Sequence, residues 1–331
     1  MGFNGQVVLV TGGTGSFGNA FVRTLLKNHT PKKVIVFSRD EFKQVEMERA
    51  FFTEFPKLTE RLRFFLGDVR DKNRLLTALH GVDILVHAAA LKQVPTLEYN
   101  PFEAVKTNII GAENLISAAI DRGVKSVIAL STDKAVNPIN LYGATKLCME
   151  KLFVSGNAYA AERPTRFSVV RYGNVVGSRG SVIPFFLEKK KSGTIPVTHQ
   201  EMTRFWITLE QGVAFVIKSL SLMQGSEVFV PKIPSMRIMD LVKAIAPKAR
   251  VNVVGIRPGE KLHETLLTQD EARHALEYPD QFIIHPPTIP GKRIPWPKGG
   301  KALRTNFVYD SNTNDQWLTI NQLKTLVASD S

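Results

Sequence analysis

The sequence predicts an α/β protein: a doubly wound parallel sheet over residues 1–176, then a smaller, less regular substrate domain over 177–331 with some chain returning to the first. Three observations predict it. Short apolar runs alternate with helical patterns through the first half, the rhythm of parallel strands joined by crossover helices. A glycine-rich turn, Thr11-Gly12-Gly13-Thr14-Gly15-Ser16-Phe17-Gly18, follows the first run and opens the first helical pattern. After Gly177 the alternation weakens and proline becomes frequent, from Pro184 through Pro231, Pro234 and Pro258 to a cluster within 286–297.

The runs at 6–11, 34–37, 63–66, 84–87, 126–130 and 167–171 are rich in β-branched and aromatic residues. Bounded by glycine or polar turns, they are expected as buried strands. Helices are expected near 17–28, 40–55, 73–79, 102–122 and 141–154. Ligands of such sheets bind beyond the carboxyl ends of the strands. Chemistry is therefore expected just after Thr11, Phe37, His87, Leu130 and Arg171. The stretch 286–300 reads as an extended loop.

At 331 residues, 44% of them hydrophobic, the chain can bury a sizeable core. No apolar run approaches the ~20 residues that span a bilayer. The first residues carry no basic, apolar and small-residue secretion pattern. The single cysteine, Cys148, has no internal disulfide partner. A cytoplasmic protein without a membrane partner is expected. The net charge of +13 is spread along the chain, with Glu188-Lys189-Lys190-Lys191 the nearest thing to a run. Without zinc spacing or an aromatic-rich strand, no metal and no nucleic-acid partner are expected; the charge fits an anionic small substrate.

Gly12, Gly15 and Gly18 stand three apart. The first permits the tight turn, the second lets backbone approach a pyrophosphate, and the third lets helix pack on strand. The helix N-terminus then offers N–H groups to the anion, with Thr14, Ser16 and Phe17 around it. This is the nucleotide-binding arrangement of a Rossmann sheet. Where NAD sites place an acid for the ribose 2′-hydroxyl, the second strand ends Ser38-Arg39-Asp40. A guanidinium and a hydroxyl suit a 2′-phosphate, so NADP is the expected cofactor. The other reading pairs Arg39 with Asp40 or Glu41 on the surface. Lys43, Asp68 and Val69 complete the adenosine end of the expected site. Ala88, Ala90 and Lys92 line its middle, although the alanines also suit plain helix–sheet packing.

Tyr142 and Lys146 lie four apart on an expected helix and share a face. With Ser131 and Thr132 they form a Ser/Thr–Tyr–Lys set, in which a cation beside the ring favours phenolate and lets Tyr142 act as a base. Thr132-Asp133-Lys134 adds an acid and a base beyond a strand end, as elimination of water requires. An exposed charged turn is the other reading of that pair. As a base, Lys134 needs a depressed pKa, from desolvation or neighbouring cations. Cys148 has no histidine beside it and reads as packing.

On these residues the chain resembles the extended short-chain dehydrogenase/reductases that act on nucleotide sugars. The carriers are the glycine turn, Ala88–Ala90, Ser131–Lys134, Tyr142-Gly143-Ala144-Thr145-Lys146 and Arg171-Tyr172-Gly173-Asn174-Val175-Val176-Gly177-Ser178. Met202-Thr203-Arg204-Phe205-Trp206-Ile207 and Ile256-Arg257-Pro258-Gly259-Glu260-Lys261-Leu262-His263-Glu264 narrow the resemblance to inverting UDP-N-acetylglucosamine 4,6-dehydratases, which begin pseudaminic acid synthesis for flagellin glycosylation. The resemblance runs from about residue 5 to Leu318. It implies a homo-oligomer that binds UDP-N-acetylglucosamine and recycles NADP. Tyr142 is implied to take the C4 hydroxyl proton, Lys134 the C5 proton, and Asp133 to protonate the leaving C6 hydroxyl. Lys92, Thr132, Asn174, Val175, Arg179, Thr198, Arg257 and Glu260 are the candidate substrate residues, with an interdomain ion pair the other reading of Arg257 and Glu260. One departure is Gln93, where the resemblance expects a histidine; glutamine keeps hydrogen bonding but cannot titrate. Retaining dehydratases resemble the chain too but carry Met where Tyr142 stands. A 4-epimerase, or a non-catalytic NADP-binding regulator, would share the fold but has no use for Asp133 and Lys134.

Overall fold

The first half of the chain alternates strand and helix, as its apolar rhythm requires. The computed structural model describes residues 2–177, 182–285 and 298–330. Strand β1 (Val7–Thr11) leads to α1 (Ser16–Asn28), β2 (Lys33–Ser38), α2 (Glu41–Glu54), β3 (Leu62–Leu66), α3 (Lys72–Ala78) and β4 (Ile84–His87). Then come α4 (Val94–Tyr99), α5 (Pro101–Ala104), a π-helical segment Val105–Ile110, α6 (Gly111–Arg122), β5 (Ser126–Thr132), α7 (Leu141–Tyr159) and β6 (Arg166–Tyr172). The central strands are buried along almost their whole length, because helices cover both faces of the sheet. Helix α1 shows the matching pattern, burying Gly18, Phe21, Val22, Leu25 and Leu26 on one face.

Two helices differ from expectation for local reasons. The helix expected over 102–122 contains the wide π turn, where the Asn108 side chain accepts from Leu91 N at 2.9 Å and donates to Leu91 O at 2.9 Å. Helix α7 continues past 154 to Tyr159 because Gly156 does not stop it. A Cβ there would meet Ile116 and Phe167 at 3.1 and 3.2 Å, so glycine serves close packing instead.

The second half comprises β7 (Asn174–Val175), α8 (Val182–Lys190), β8 (Thr194–Val197), β9 (Thr203–Ile207), α9 (Leu209–Leu222), β10 (Val228–Pro231), β11 (Ser235–Arg237), α10 (Ile238–Ile245) and β12 (Arg250–Val253). It closes with β13 (Thr265–Leu267), α11 (Gln269–Ala272), β14 (Ala275–Glu277), β15 (Gln281–Ile284), β16 (Lys301–Ala302), β17 (Tyr309–Asp310) and α12 (Ile320–Asp330). The largest sheet has ten strands in the order β16-β14-β15-β10-β6-β5-β4-β1-β2-β3. From β10 to β3 all pairs are parallel; β15, β14 and β16 add antiparallel pairs at the other edge. Chain beyond Gly177 therefore returns to the first sheet. A separate apolar cluster of the second half gathers Ile183, Phe186, Trp206, Leu241, Ile245 and Leu323. The 286–297 part of the expected loop lies outside the described residues.

Candidate active site

A cleft of about 660 Å³ opens beyond the carboxyl ends of β1, β2, β4, β5 and β6. Its floor is the glycine turn. Gly12 has a φ of +65°, and a Cβ there would stand 2.8 Å from Ala89 N and 2.9 Å from the Ala88 carbonyl carbon. A Cβ on Gly18 would lie 2.5 Å from Gly13 Cα, so helix and turn touch through backbone. Gly15 begins α1 without a side-chain cap, and no acidic residue occupies the first turn. By contrast Asp40 caps α2, Asn140 caps α7 and Thr208 caps α9. The α1 terminus, with Thr14, Ser16, Phe17 and Gly18 facing the cleft, fits a diphosphate.

Ser38, Arg39, Asp40, Lys43, Asp68 and Val69 meet at one end of the cleft. Asp40 accepts from Lys43 N at 3.0 Å and also from its ammonium. The Arg39 guanidinium stands 3.8 Å from Asp68, more than half exposed. Asp68 is held by Arg70 through bonds of 2.8 and 3.0 Å, which leaves Arg39 a loose partner. This end of the cleft thus holds one exposed guanidinium beside a carboxylate already engaged by Arg70.

Ala88, Ala89, Ala90, Lys92 and Gln93 form the middle wall. Below it, buried His87 takes part in a 2.8 Å hydrogen bond with Thr11 Oγ1 and stacks on Phe153. Burial, with Lys146 adding to it, pushes the imidazole down to about 3, so it stays neutral. Asn108 Nδ2 also donates to Thr145 Oγ1 at 3.0 Å, which ties this wall to α7.

The candidate acid–base residues expected from the sequence converge where β5 meets the head of α7. Asn140 Oδ1 accepts from Gly143 N at 2.8 Å and fixes the helix start. A Cβ on Gly143 would lie 2.1 Å from Lys134 O, so only glycine lets α7 approach the 133–135 turn this closely. Asp133 is buried. Its Oδ1 accepts from Thr132 Oγ1 at 2.9 Å and from Lys134 Nζ at 3.0 Å. Its Oδ2 has no hydrogen-bond partner among the described residues.

Burial alone would depress the Lys134 ammonium, but Asp133 and Glu264 outweigh it and hold the group above its ordinary value. The depressed pKa expected of a base is thus absent in this resting arrangement, because two carboxylates flank the ammonium. Burial pushes Tyr142 up to about 12, with Lys134 and a Thr132 hydrogen bond pulling the other way. Lys146 is spent elsewhere: its Nζ donates to Leu130 O at 2.6 Å and lies 3.0 Å from Met149 Sδ. Burial brings it down to about 8 against the opposing pull of Glu150.

Asn174 and Val175 line the same cleft, and Asn174 Oδ1 is buried without a partner among the described residues. Thr198, Arg257 and Glu260 stand outside that lining; Arg179 lies outside the described residues. Arg257 is exposed, while Glu260 Oε1 lies 3.4 Å from Arg204 Nη2.

Sequence reasoning assigned no role to Asn108, Gly143, Arg204 or Glu264. Glu264 sits in a quoted motif, but its contact with Lys134 spans 130 positions of chain and no local spacing announces it.

Residues 8–286 match the family described as "Polysaccharide biosynthesis protein". The chain is 48% identical over 333 residues to a UDP-N-acetylglucosamine 4,6-dehydratase (inverting) of Campylobacter jejuni, covering 98% of each chain. It is 43% identical over 290 residues to a UDP-glucose 4-epimerase of Rickettsia conorii, covering 85% of this chain and 83% of that one. The solved structure of Pen from Bacillus thuringiensis superposes with a TM-score of 0.88 at 37% identity, covering 99% of both chains.

Proposed function

The chain belongs to the polysaccharide biosynthesis family of extended short-chain dehydrogenase/reductases, and from that premise we propose that it dehydrates UDP-N-acetylglucosamine across C5 and C6, inverting C5, with bound NADP. The observation that carries this reading is the Asp133–Lys134 pair beside Tyr142 in the nucleotide cleft. An epimerase has no proton to move at C5 and no hydroxyl to expel at C6. The name of the 48%-identical relative supports the same choice.

Gly12, Gly15 and Gly18 carry the dinucleotide's diphosphate, and Ala88 and Ala90 admit the cofactor against backbone. Ser38, Arg39 and Lys43 receive the 2′-phosphate, with Asp40, Asp68 and Val69 closing that end. When bound, the dinucleotide supplies hydride acceptance and return, and it ends each turnover as it began. Lys92, Thr132, Asn174 and Val175 hold the sugar nucleotide inside the cleft. Thr198, Arg257 and Glu260 remain proposed contacts for its uridine end, together with Arg179.

Tyr142 takes the proton of the C4 hydroxyl; burial favours its protonated phenol at rest, contrary to the phenolate expected from the sequence, and Lys134 and Thr132 pull against that burial. Lys146 holds the β5 end in place through Leu130 O. The C4 ketone then acidifies C5. The resting pair carries its shared proton on Lys134. Transfer along the 3.0 Å contact to Asp133 leaves an amine and a carboxylic acid side by side. Lys134 accepts the C5 proton as Asp133 protonates the departing C6 hydroxyl, which restores the ion pair. The enzyme is proposed to act as a cytoplasmic homo-oligomer with no membrane or nucleic-acid partner.

NMR of UDP-N-acetylglucosamine incubated with the pure, NADP-loaded protein tests this reading. A 4-keto-6-deoxy product without added reductant is expected. UDP-N-acetylgalactosamine in its place makes the protein an epimerase.

A further inference from the structure

Glu264 is almost fully buried, at 2% exposure, where the 133–135 turn, β9 and its own segment each bring a cation toward it. Lys134 Nζ of the catalytic turn lies 3.2 Å from its Oε1, Lys261 Nζ 3.6 Å from its Oε2, and Arg204 Nε of β9 3.9 Å from Oε1. The two outer cations are engaged elsewhere. Arg204 gives Nη1 to Thr203 O and Leu262 O at 2.7 and 3.1 Å, and Nη2 to Lys261 O at 2.9 Å and Glu260 at 3.4 Å. Lys261 Nζ donates to Val136 O at 2.5 Å. The nearest charged partner of Glu264 is therefore the lysine of the acid–base pair. A carboxylate kept only to satisfy buried cations would take the guanidinium fork, the strongest geometry available. Here the fork faces backbone carbonyls and Glu260.

The main chain holds Glu264 in place. Its N–H donates to Ser311 Oγ at 2.9 Å, and Ser311 Oγ is 2.7 Å from Thr203 Oγ1, which in turn meets His263 Nδ1 at 2.8 Å. The same segment grips the catalytic loop, since Asn140 Nδ2 donates to Gly259 O at 2.8 Å. Glu264 is absent from the cleft lining, so it reaches the chemistry only through Lys134.

We propose that Glu264 is a positioning residue, which fixes Lys134 Nζ beside Asp133 and sets the pH window in which the Lys134–Asp133 pair holds one proton. The proposal rests on the dehydratase reading above. The charged and titratable groups facing the pair are Tyr142 of α7, Arg204 of β9 and Glu264 of the C-terminal segment, with Lys261 beside Glu264. The pair works only with a single shared proton, so its kcat–pH profile is a bell whose two limbs belong to the pair. Removing the Glu264 charge disfavours every protonated form, and both limbs move to lower pH.

The test is the kcat and KM pH profile of Glu264→Gln and Glu264→Asp beside the parent, with UDP-N-acetylglucosamine as substrate. For Glu264→Gln we expect kcat to fall about ten-fold or more, KM to hold within about two-fold, and both limbs to move down by about one pH unit. Glu264→Asp, which keeps the charge on a shorter arm, should restore the limbs toward their parental positions while kcat stays reduced. Unmoved limbs in Glu264→Gln, or a KM that rises in step with the loss of kcat, overturn the proposal. Should Glu264→Gln fail to fold, Glu264→Asp decides alone. A lowered kcat at unchanged KM supports the role, and parental kcat or a matching rise in KM refutes it. A parent that forms no 4-keto-6-deoxy product brings down the dehydratase reading and this proposal with it; a working parent with unmoved limbs brings down only the role of Glu264.

Discussion

Arg39 stands at the adenosine end of the cleft with its guanidinium more than half exposed and only a 3.8 Å approach to Asp68. A cation held this loosely can turn to a ligand phosphate at little cost. Arg39→Ala is therefore expected to weaken NADP binding about ten- to a hundred-fold, the scale of one or two charge-assisted hydrogen bonds, while NAD binding changes little. Titration with both cofactors checks it, and equal losses would remove Arg39 from phosphate recognition. At this scale the sequence was legible wherever spacing alone implies proximity. Tyr142 and Lys146 share a helix face, and Thr132 closes one strand with Asp133 and Lys134 directly after it, so the meeting within each set needs no tertiary knowledge. The protonation of Lys134 was not legible. Its nearest carboxylates are one neighbour in sequence, Asp133, and one 130 positions away, Glu264, and only folding brings the second within 3.2 Å.

Arg171 shows how elements are fastened behind the site. It stands one residue before the end of β6, is fully buried, and forks onto Glu150 of α7 with bonds of 2.6 and 3.0 Å. It also bonds Glu271 of α11 at 2.9 and 3.0 Å and Leu266 O of β13 at 3.0 Å. Burial would raise the Glu271 carboxyl, but Arg171 holds it below the usual range. Arg171→Met would leave Glu150 buried, and Glu271 partly buried, without the cation they share. It is expected to cost about 3–5 kcal/mol of stability in urea or thermal unfolding, a loss that breaking a buried pair produces. A loss under about 1 kcal/mol would mean that both carboxylates find water. Elements of the first half were legible because strands covered on both faces are continuous apolar runs. The π segment was not, since it depends on Asn108 reaching Leu91. Some return of the second half to the first was expected, but not that β10 and β15 make it, because four-residue strands carry too little periodicity to assign a partner.

Across the whole molecule the two halves of the chain meet at the stretch 133–140. Gly259 O accepts from Asn140, Lys261 donates to Val136 O, and Glu264 approaches Lys134, so the C-terminal segment braces the turn that holds Asp133 and Lys134. The central claim is that Lys134 and Asp133 move protons at C5 and C6 after oxidation at C4. It is tested most directly by turnover of UDP-N-acetylglucosamine in heavy water, read by NMR at C5 and C6. The account predicts deuterium at C5 with the configuration there inverted, and the original C4 hydride at C6. In Lys134→Ala, C5 exchange should be lost while reduced nicotinamide still accumulates from C4 oxidation. Retained configuration at C5, or undiminished C5 exchange in Lys134→Ala, would contradict it.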